Sequence, residues 1–164
     1  IVKEIDFNSG VIKGDFVIHK NKVKIIEFAG RLSGGDFSES LVPLSTGKNY
    51  VEDAIRISTG EKIDINKQKF KYKYYVANRY FFLPKGKLQK IKNINKIKNL
   101  KSIKKFKLFY KTGDRINDLI YHGSRAGVFI VKTKSKIQMN KIIDFVYKNL
   151  NFKISNKWVN GSPN

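Results

Sequence analysis

Two short runs rich in Val, Ile and Phe, residues 11–19 and 23–28, flank the polar tripeptide Lys20-Asn21-Lys22. Runs of this length and composition pair as antiparallel strands, because β-branched and aromatic side chains suit a pleated, half-buried surface. The early chain is thereby directed to a β-hairpin, and each strand carries one acid, Asp15 and Glu27. A three-residue loop pairs His19 with Val23 and sets Asp15 directly opposite Glu27 on one face, with Cβ atoms about 5 Å apart. Two carboxylates placed so repel one another, and a divalent cation is the usual compensation: Mg²⁺ takes carboxylate oxygens at ~2.1 Å and keeps positions for water and phosphates. Arg31, four residues past Glu27, could then reach those phosphates. A two-residue turn instead sends the acids to opposite faces and leaves an exposed hairpin with two unrelated charges.

Beyond the hairpin, Ala29-Gly30-Arg31-Leu32-Ser33-Gly34-Gly35 is too rich in glycine for an element interior. It is not a phosphate loop of the Lys-Ser/Thr kind, since no such pair follows and no helix is expected to open at once. Backbone N–H groups of Ser33, Gly34 and Gly35 could hold an anionic carboxylate or acyl phosphate; a plain structural loop is the competing account. A helix is predicted from Tyr50, capped by Asn49 with Glu52 three residues on, and closed at Gly60.

Composition shifts across residues 61–69, which places the expected domain boundary there: residues 1–64, 65–155, and a tail at 156–164. In the second part Phe70–Leu83 reads as a long strand ending at the turn Pro84-Lys85-Gly86, with Leu88–Ile91 as its return strand. A short helix follows at Ile94–Leu100, then strands at Ile103–Tyr110 and Gly127–Lys132. Met139, Ile142, Ile143, Val146, Tyr147 and Leu150 recur at helical spacing over about 136–150, and Phe152–Ile154 forms a last short strand. The outline is α+β.

The net charge of +21 is unevenly spread. Residues 1–64 carry ten acids and nine bases, whereas residues 65–164 carry three acids and twenty-five bases. Such an asymmetry suggests nucleic acid or another anionic partner. Against this, the bases are twenty-nine lysines and five arginines, poor in the residue that recognises phosphates and base edges best. They also alternate with Ile91, Ile94, Ile97, Leu100 and Ile103, as on structured elements with one wet face. The aromatic run Phe70, Tyr72, Tyr74, Tyr75, Tyr80, Phe81 and Phe82 could stack bases if exposed, and core packing is its more ordinary use. The sequence has no cysteine, so no disulfide framework or thiolate chemistry arises, and this fits a cytoplasmic location. No apolar run reaches the ~20 residues that span a bilayer. His19 and His122 are too few for a histidine-rich metal site.

Gly14-Asp15, ten residues, then Ile26-Glu27-Phe28-Ala29-Gly30-Arg31-Leu32-Ser33-Gly34-Gly35 resembles the end of the ATP-grasp catalytic domain, in the carbamoyl-phosphate synthase and biotin carboxylase-like branch. The ordered set Pro43-Leu44-Ser45-Thr46-Gly47, Tyr80–Gly86, Lys111–Asp114 and Arg125–Val131 is similar to the succeeding segments of those ligases, so the likeness covers most of residues 8–154. It implies a fold made of the C-terminal half of an ATP-grasp catalytic domain (antiparallel sheet plus helices) with a small C-terminal α/β lobe. It also implies an ATP-dependent carboxylate–amine or carboxylate–thiol ligase acting through an acyl phosphate. Carried onto matching positions, Asp15 and Glu27 become ligands for Mg²⁺ or Mn²⁺, and Arg31 becomes the catalytic contact to phosphate. With Arg31, the loop residues Ser33, Gly34 and Gly35 are the candidate cofactor-binding residues, read from the glycine-rich loop itself. Ala29 stands where many members have a metal-binding Asn, which puts a second metal in question.

The resemblance further implies small-molecule carboxylate and amine substrates, a missing N-terminal part of the same chain of roughly 400 residues in all, and no activity in this piece alone. Dimers are common among such enzymes, so a homodimer is compatible. Two other readings stand beside it: a nucleic-acid-binding basic module, marked by steep salt dependence, and a non-catalytic ATP-grasp-like scaffold.

Overall fold

A computed structural model describes Glu4, residues 6–64 and residues 73–163. The chain forms two compact units, Ile1–Tyr72 and Lys73–Asn164.

In the first unit β1 (Lys13–His19) and β2 (Lys22–Ala29) form the expected antiparallel hairpin. The connection differs from expectation: His19 pairs with Lys22, so the turn has two residues, Lys20 and Asn21, at φ of 48° and 57°. Positive φ at both central positions is the type I′ turn, whose twist matches that of the flanking strands. The register then slips by one between Asp15 and Phe16, through a β-bulge that sets Phe16 opposite Ile25 but Asp15 opposite Glu27. The predicted opposition of the acids is present, made by the bulge and not by a longer loop.

Alternation sorts the hairpin into two faces. Lys13, Asp15, Val17, Lys24, Glu27 and Ala29 share one; Gly14, Phe16, Ile18, Val23, Ile25 and Phe28 share the other. Phe16 and Phe28 meet edge to face at 5.5 Å, and a Cβ on Gly14 would lie 2.5 Å from the Phe16 ring. A side chain at this position would have to displace the ring edges of the aromatic pair.

Contrary to expectation, a helical segment does open directly after the glycine loop. Asp36, at φ 70°, precedes a π-helical turn, Phe37–Leu41, that runs into α1 (Val42–Thr46). Pro43 sits in the first turn of α1, where its missing N–H costs nothing, and Gly47 ends the helix in the left-handed region. Helix α2 (Tyr50–Ser58) is built as predicted. The Asn49 side chain accepts from the Glu52 N–H at 3.3 Å, and at the far end Gly60 N–H donates to Ile57 O while Glu61 N–H donates to Arg56 O. That pair of bonds is the Schellman closure.

The second unit has strands β3 (Tyr75–Phe81), β4 (Gly86–Lys92), β5 (Ile103–Leu108), β6 (Arg115–Ile116) and β7 (Gly127–Thr133). Helix α3 (Ile94–Lys98) joins β4 to β5, and β8 (Asn151–Ile154) and β9 (Lys157–Val159) follow helix α4 (Lys136–Asn149). The first three residues of the predicted long strand, 70–72, lie outside the described residues. Pairing is antiparallel throughout, in two sheets ordered β3-β7-β5 and β6-β4-β8-β9. This corrects the reading of residues 88–91 as a return strand. β4 does not pair with β3; the turn at Pro84–Gly86 carries the chain from one sheet to the other. The expected tail is corrected as well, since residues 157–159 form β9 and Phe82 N–H donates to Gly161 O at 2.9 Å.

One core serves both sheets and α4. Phe81, Phe129 and Phe152 are fully buried with Leu88, Ile97, Ile116, Val146 and Leu150. Phe81 is its centre, with ring centroids 5.1 Å from Phe129, 5.7 Å from Phe152 and 5.9 Å from Tyr147. Burial of each such ring contributes roughly 1.5–3 kcal/mol. Strand β7 is covered on both sides and so reads as an unbroken apolar run, Gly127-Val128-Phe129-Ile130-Val131. Ser135 caps α4 by accepting from Gln138 N–H at 3.2 Å. At its other end the Asn149 carbonyl accepts from the side-chain amides of Asn93 and Asn151, both at 2.8 Å.

Candidate functional site

The polar face of the hairpin holds the strongest candidate. Asp15 and Glu27 are directly opposed, and the Lys13 ammonium lies between them, donating to Asp15 Oδ2 at 2.6 Å and to Glu27 Oε1 at 2.9 Å. The lysine reaches both because it sits two residues before Asp15 on the same face, opposite Ala29, whose methyl group leaves room for it. Lys13 is mostly covered while the two acids are about half exposed, so the carboxylates remain open to solution. The Asp15 carboxylate first, and Glu27 after it, hold the Lys13 ammonium above the ordinary lysine range. Lys13 is the member of this cluster that the sequence reading missed. Its signal was available, since the register that opposes the two acids also brings residue 13 onto their face.

The remaining predicted residues are disposed differently. Arg31 N–H donates to Ala29 O at 2.8 Å, a tight turn over Gly30, and its guanidinium bonds Leu32 O at 3.1 Å and reaches neither acid. It lines a cleft of about 350 Å³ with Ser9, Gly10, Gly30, Ala54 and Ile57. Ser33 is half-buried, and Gly34 and Gly35 are exposed; Gly34 O accepts from Phe37 N–H at 3.3 Å as the loop enters the π-helical turn. His19 is exposed beside the turn. Arg125 stacks on Tyr80, 3.7 Å from the ring centroid. Of the predicted aromatic run, Phe81 is core, and Tyr75 is exposed.

Could the hairpin acids hold a metal? Two carboxylate oxygens already converge on one cationic nitrogen, and the donors are hard oxygens of the kind Mg²⁺ takes. The place between the two carboxylates is taken by the Lys13 ammonium. Among the described residues no group of three or more His, Cys, Asp and Glu side chains assembles a metal site. Two acids, with Ala29 in place of a third ligand, are what this strand pair offers.

A hairpin with opposed acids, a glycine loop entering a helix, and a second unit of antiparallel sheets under one long helix make up a fold shared with parts of solved synthetase and ligase structures. More particularly, residues 79–155 match the family described as L-amino acid ligase C-terminal domain 2. Among solved structures, phosphoribosylglycinamide synthetase from Anaerococcus prevotii is similar over 94% of this chain and 39% of its own, at 22% identity and a TM-score of 0.76. The L-amino acid ligase from Bacillus licheniformis is similar over 94% of this chain and 38% of its own, at 16% identity and a TM-score of 0.76. Biotin carboxylase from Campylobacter jejuni, solved as a β,γ-ATP complex, gives 92%, 33%, 16% identity and a TM-score of 0.62. No curated protein matches the sequence. The chain thus spans little more than a third of the length of the structures it resembles. Among the described residues no helix is long and apolar enough to cross a membrane.

Proposed function

We propose that this chain supplies the metal-binding strands and the C-terminal lobe of an ATP-dependent carboxylate–amine ligase. The observation that carries the proposal is the opposition of Asp15 and Glu27 across a bulged hairpin, with their oxygens already converging on one cation. In this reading Asp15 and Glu27 hold Mg²⁺ or Mn²⁺, which when bound neutralises charge on the ATP phosphates. Arg31, at the mouth of the same strand, contacts a transferred phosphoryl group, and the N–H groups of Ser33, Gly34 and Gly35 hold an anionic substrate. A substrate carboxylate attacks the γ-phosphate to give an acyl phosphate and ADP, and an amine or thiol displaces phosphate from it. The protein's part is positioning and charge neutralisation, with no covalent enzyme intermediate.

The share of the related structures that the chain covers supports its belonging to a longer protein, whose preceding part would clamp the nucleotide. Substrates are then small carboxylates and amines, a homodimer is a compatible assembly, and the location is cytoplasmic. Substrate-dependent ADP release by the full-length protein, scanned over carboxylate and amine pairs, tests the proposal. Release abolished by Glu27→Gln is the expected result; turnover that survives this substitution defeats the assignment.

One observation favours a second reading. Lys13 supplies, from within the chain, the positive charge that a metal would bring, and Ala29 removes a ligand. A non-catalytic ATP-grasp-like scaffold results if Lys13 holds the acids permanently, and failure of the full-length protein to bind Mg-ATP selects it.

A further inference from the structure

We propose that the solvent-facing side of the four-stranded sheet in the second unit binds single-stranded nucleic acid. In this sheet Leu88, Ile116, Phe152 and Ile154 turn into the core. Alternation sends Lys87, Arg115 and Lys153 to the opposite side, and the register shift between Leu88 and Lys90 sends Lys90 there too. Lys87 is directly opposed to Arg115, and Lys90 to Lys153. Like charges directly opposed on neighbouring strands destabilise a sheet, and here two such pairs occur on one face. None of these four residues, nor Lys92, makes an ion pair among the described residues. Acids that could relieve them are few. Asp118 bonds Lys85, Asp114 accepts from the backbone N–H of Lys111, and Asp144 lies on α4.

The cationic face leads to an aromatic one. Trp158 on β9 pairs with Lys153, is 44% exposed, and carries the Lys92 ammonium 4.4 Å from its ring centroid. It also lines a cleft of about 830 Å³ with Phe82, Leu83, Pro84 and Asn160. Across four strands spaced about 4.8 Å apart, the face runs from Arg115 through three lysines to an indole beside a cleft. A phosphodiester chain provides regularly repeated single negative charges for the cations, and an unstacked base provides a flat partner for Trp158. A duplex offers no unstacked base. Lysine reads charge and not base edges, so binding is tolerant of sequence.

The test is a titration of a short fluorescein-labelled oligothymidylate with the protein, followed by anisotropy across a salt series. Trp158 is the sole tryptophan of the chain, so quenching of its emission reports stacking at this face. Binding with Trp158 quenching is expected. Lys90→Gln, Lys92→Gln and Lys153→Gln together should lower the salt slope by about 2, at about 0.7 per contact. Trp158→Leu should weaken binding by roughly five- to a hundredfold, while Trp158→Phe keeps most of it. Three exposed lysines off this face, Lys134, Lys141 and Lys148, changed to Gln, should leave quenching and slope as they were. An equal loss in that variant, binding without quenching, or no binding at all overturns the proposal. Equally tight binding of duplex, or of vesicles containing anionic lipid, overturns it too, the latter in favour of a membrane surface.

Discussion

Asp15 and Glu27 face one another because one extra residue is accommodated in β2, between Ile25 and Glu27. The two-residue turn at Lys20-Asn21 by itself pairs Asp15 with position 26 and turns Glu27 away. A bulge thus re-aims a side chain at a candidate site, a recurrent use of such irregularities.

Lys13 competes with any metal for those two acids. Lys13→Met should raise the affinity for Mg²⁺, measured by calorimetry in the presence of ATP, by roughly five- to tenfold, since a cation about 3 Å from both carboxylates is removed. Glu27→Gln should abolish that gain. The raised Lys13 pKa carries its own sign: the contact stabilises the hairpin below the ordinary lysine pKa and is lost as pH rises through the elevated one.

Tyr147 makes the second unit sensitive to alkali. Burial first pushes its hydroxyl up to about 12, against the opposing pull of Arg79, and the O–H donates to Tyr80 O at 2.9 Å. The fold therefore favours the neutral phenol, and stability should hold up to about pH 10 and decline between 10 and 12 as the unfolded chain ionises first. The decline attributable to this half-buried group should be on the order of 1 kcal/mol after solvent screening. Tyr147→Phe should remove it, at a cost of about 1 kcal/mol at neutral pH, in denaturation followed by near-ultraviolet circular dichroism.

Gly127 is held to glycine by its neighbour. A Cβ there would lie 2.6 Å from the backbone oxygen of Lys107, which cannot swing aside as a side chain can. Gly127→Ala should destabilise the second unit by about 1–3 kcal/mol, seen as a melting point lower by about 4 °C or more per kcal/mol.

Lys20 occupies a left-handed conformation that suits glycine better. Lys20→Gly should stabilise the hairpin by about 0.5 kcal/mol, read as slower amide exchange across β1 and β2.

Local chemistry made much of this architecture legible. The Asn49–Glu52 cap, the closure at Gly60 and the apolar stripe from Met139 to Leu150 each lie within a few turns of one helix, where spacing alone decides the outcome. The features that escaped prediction depend on partners distant in the chain. That β3 pairs with β7 while β4 pairs with β8 is settled by which strands bury Phe81 and Leu88 together, and no turn at Pro84 announces it. At the site, the opposition of the two acids was expected from a three-residue loop, whereas it arises from a two-residue turn followed by a bulge. The bulge was not legible, because Phe16 and Ile25 carry no turn or glycine signal, and Lys13 was overlooked among many lysines.

The outer strand β5 shows what else that lysine excess does. It is the open edge of the three-stranded sheet, it slips register between Ile103 and Lys105, and its sequence is Ile-Lys-Lys-Phe-Lys-Leu. An incoming strand from another molecule would have to dock against an irregular ladder fringed with ammonium groups, a combination that discourages edge-to-edge aggregation. In a chain with so many Ile and Phe side chains, positive charge at this border helps to keep neighbouring copies apart.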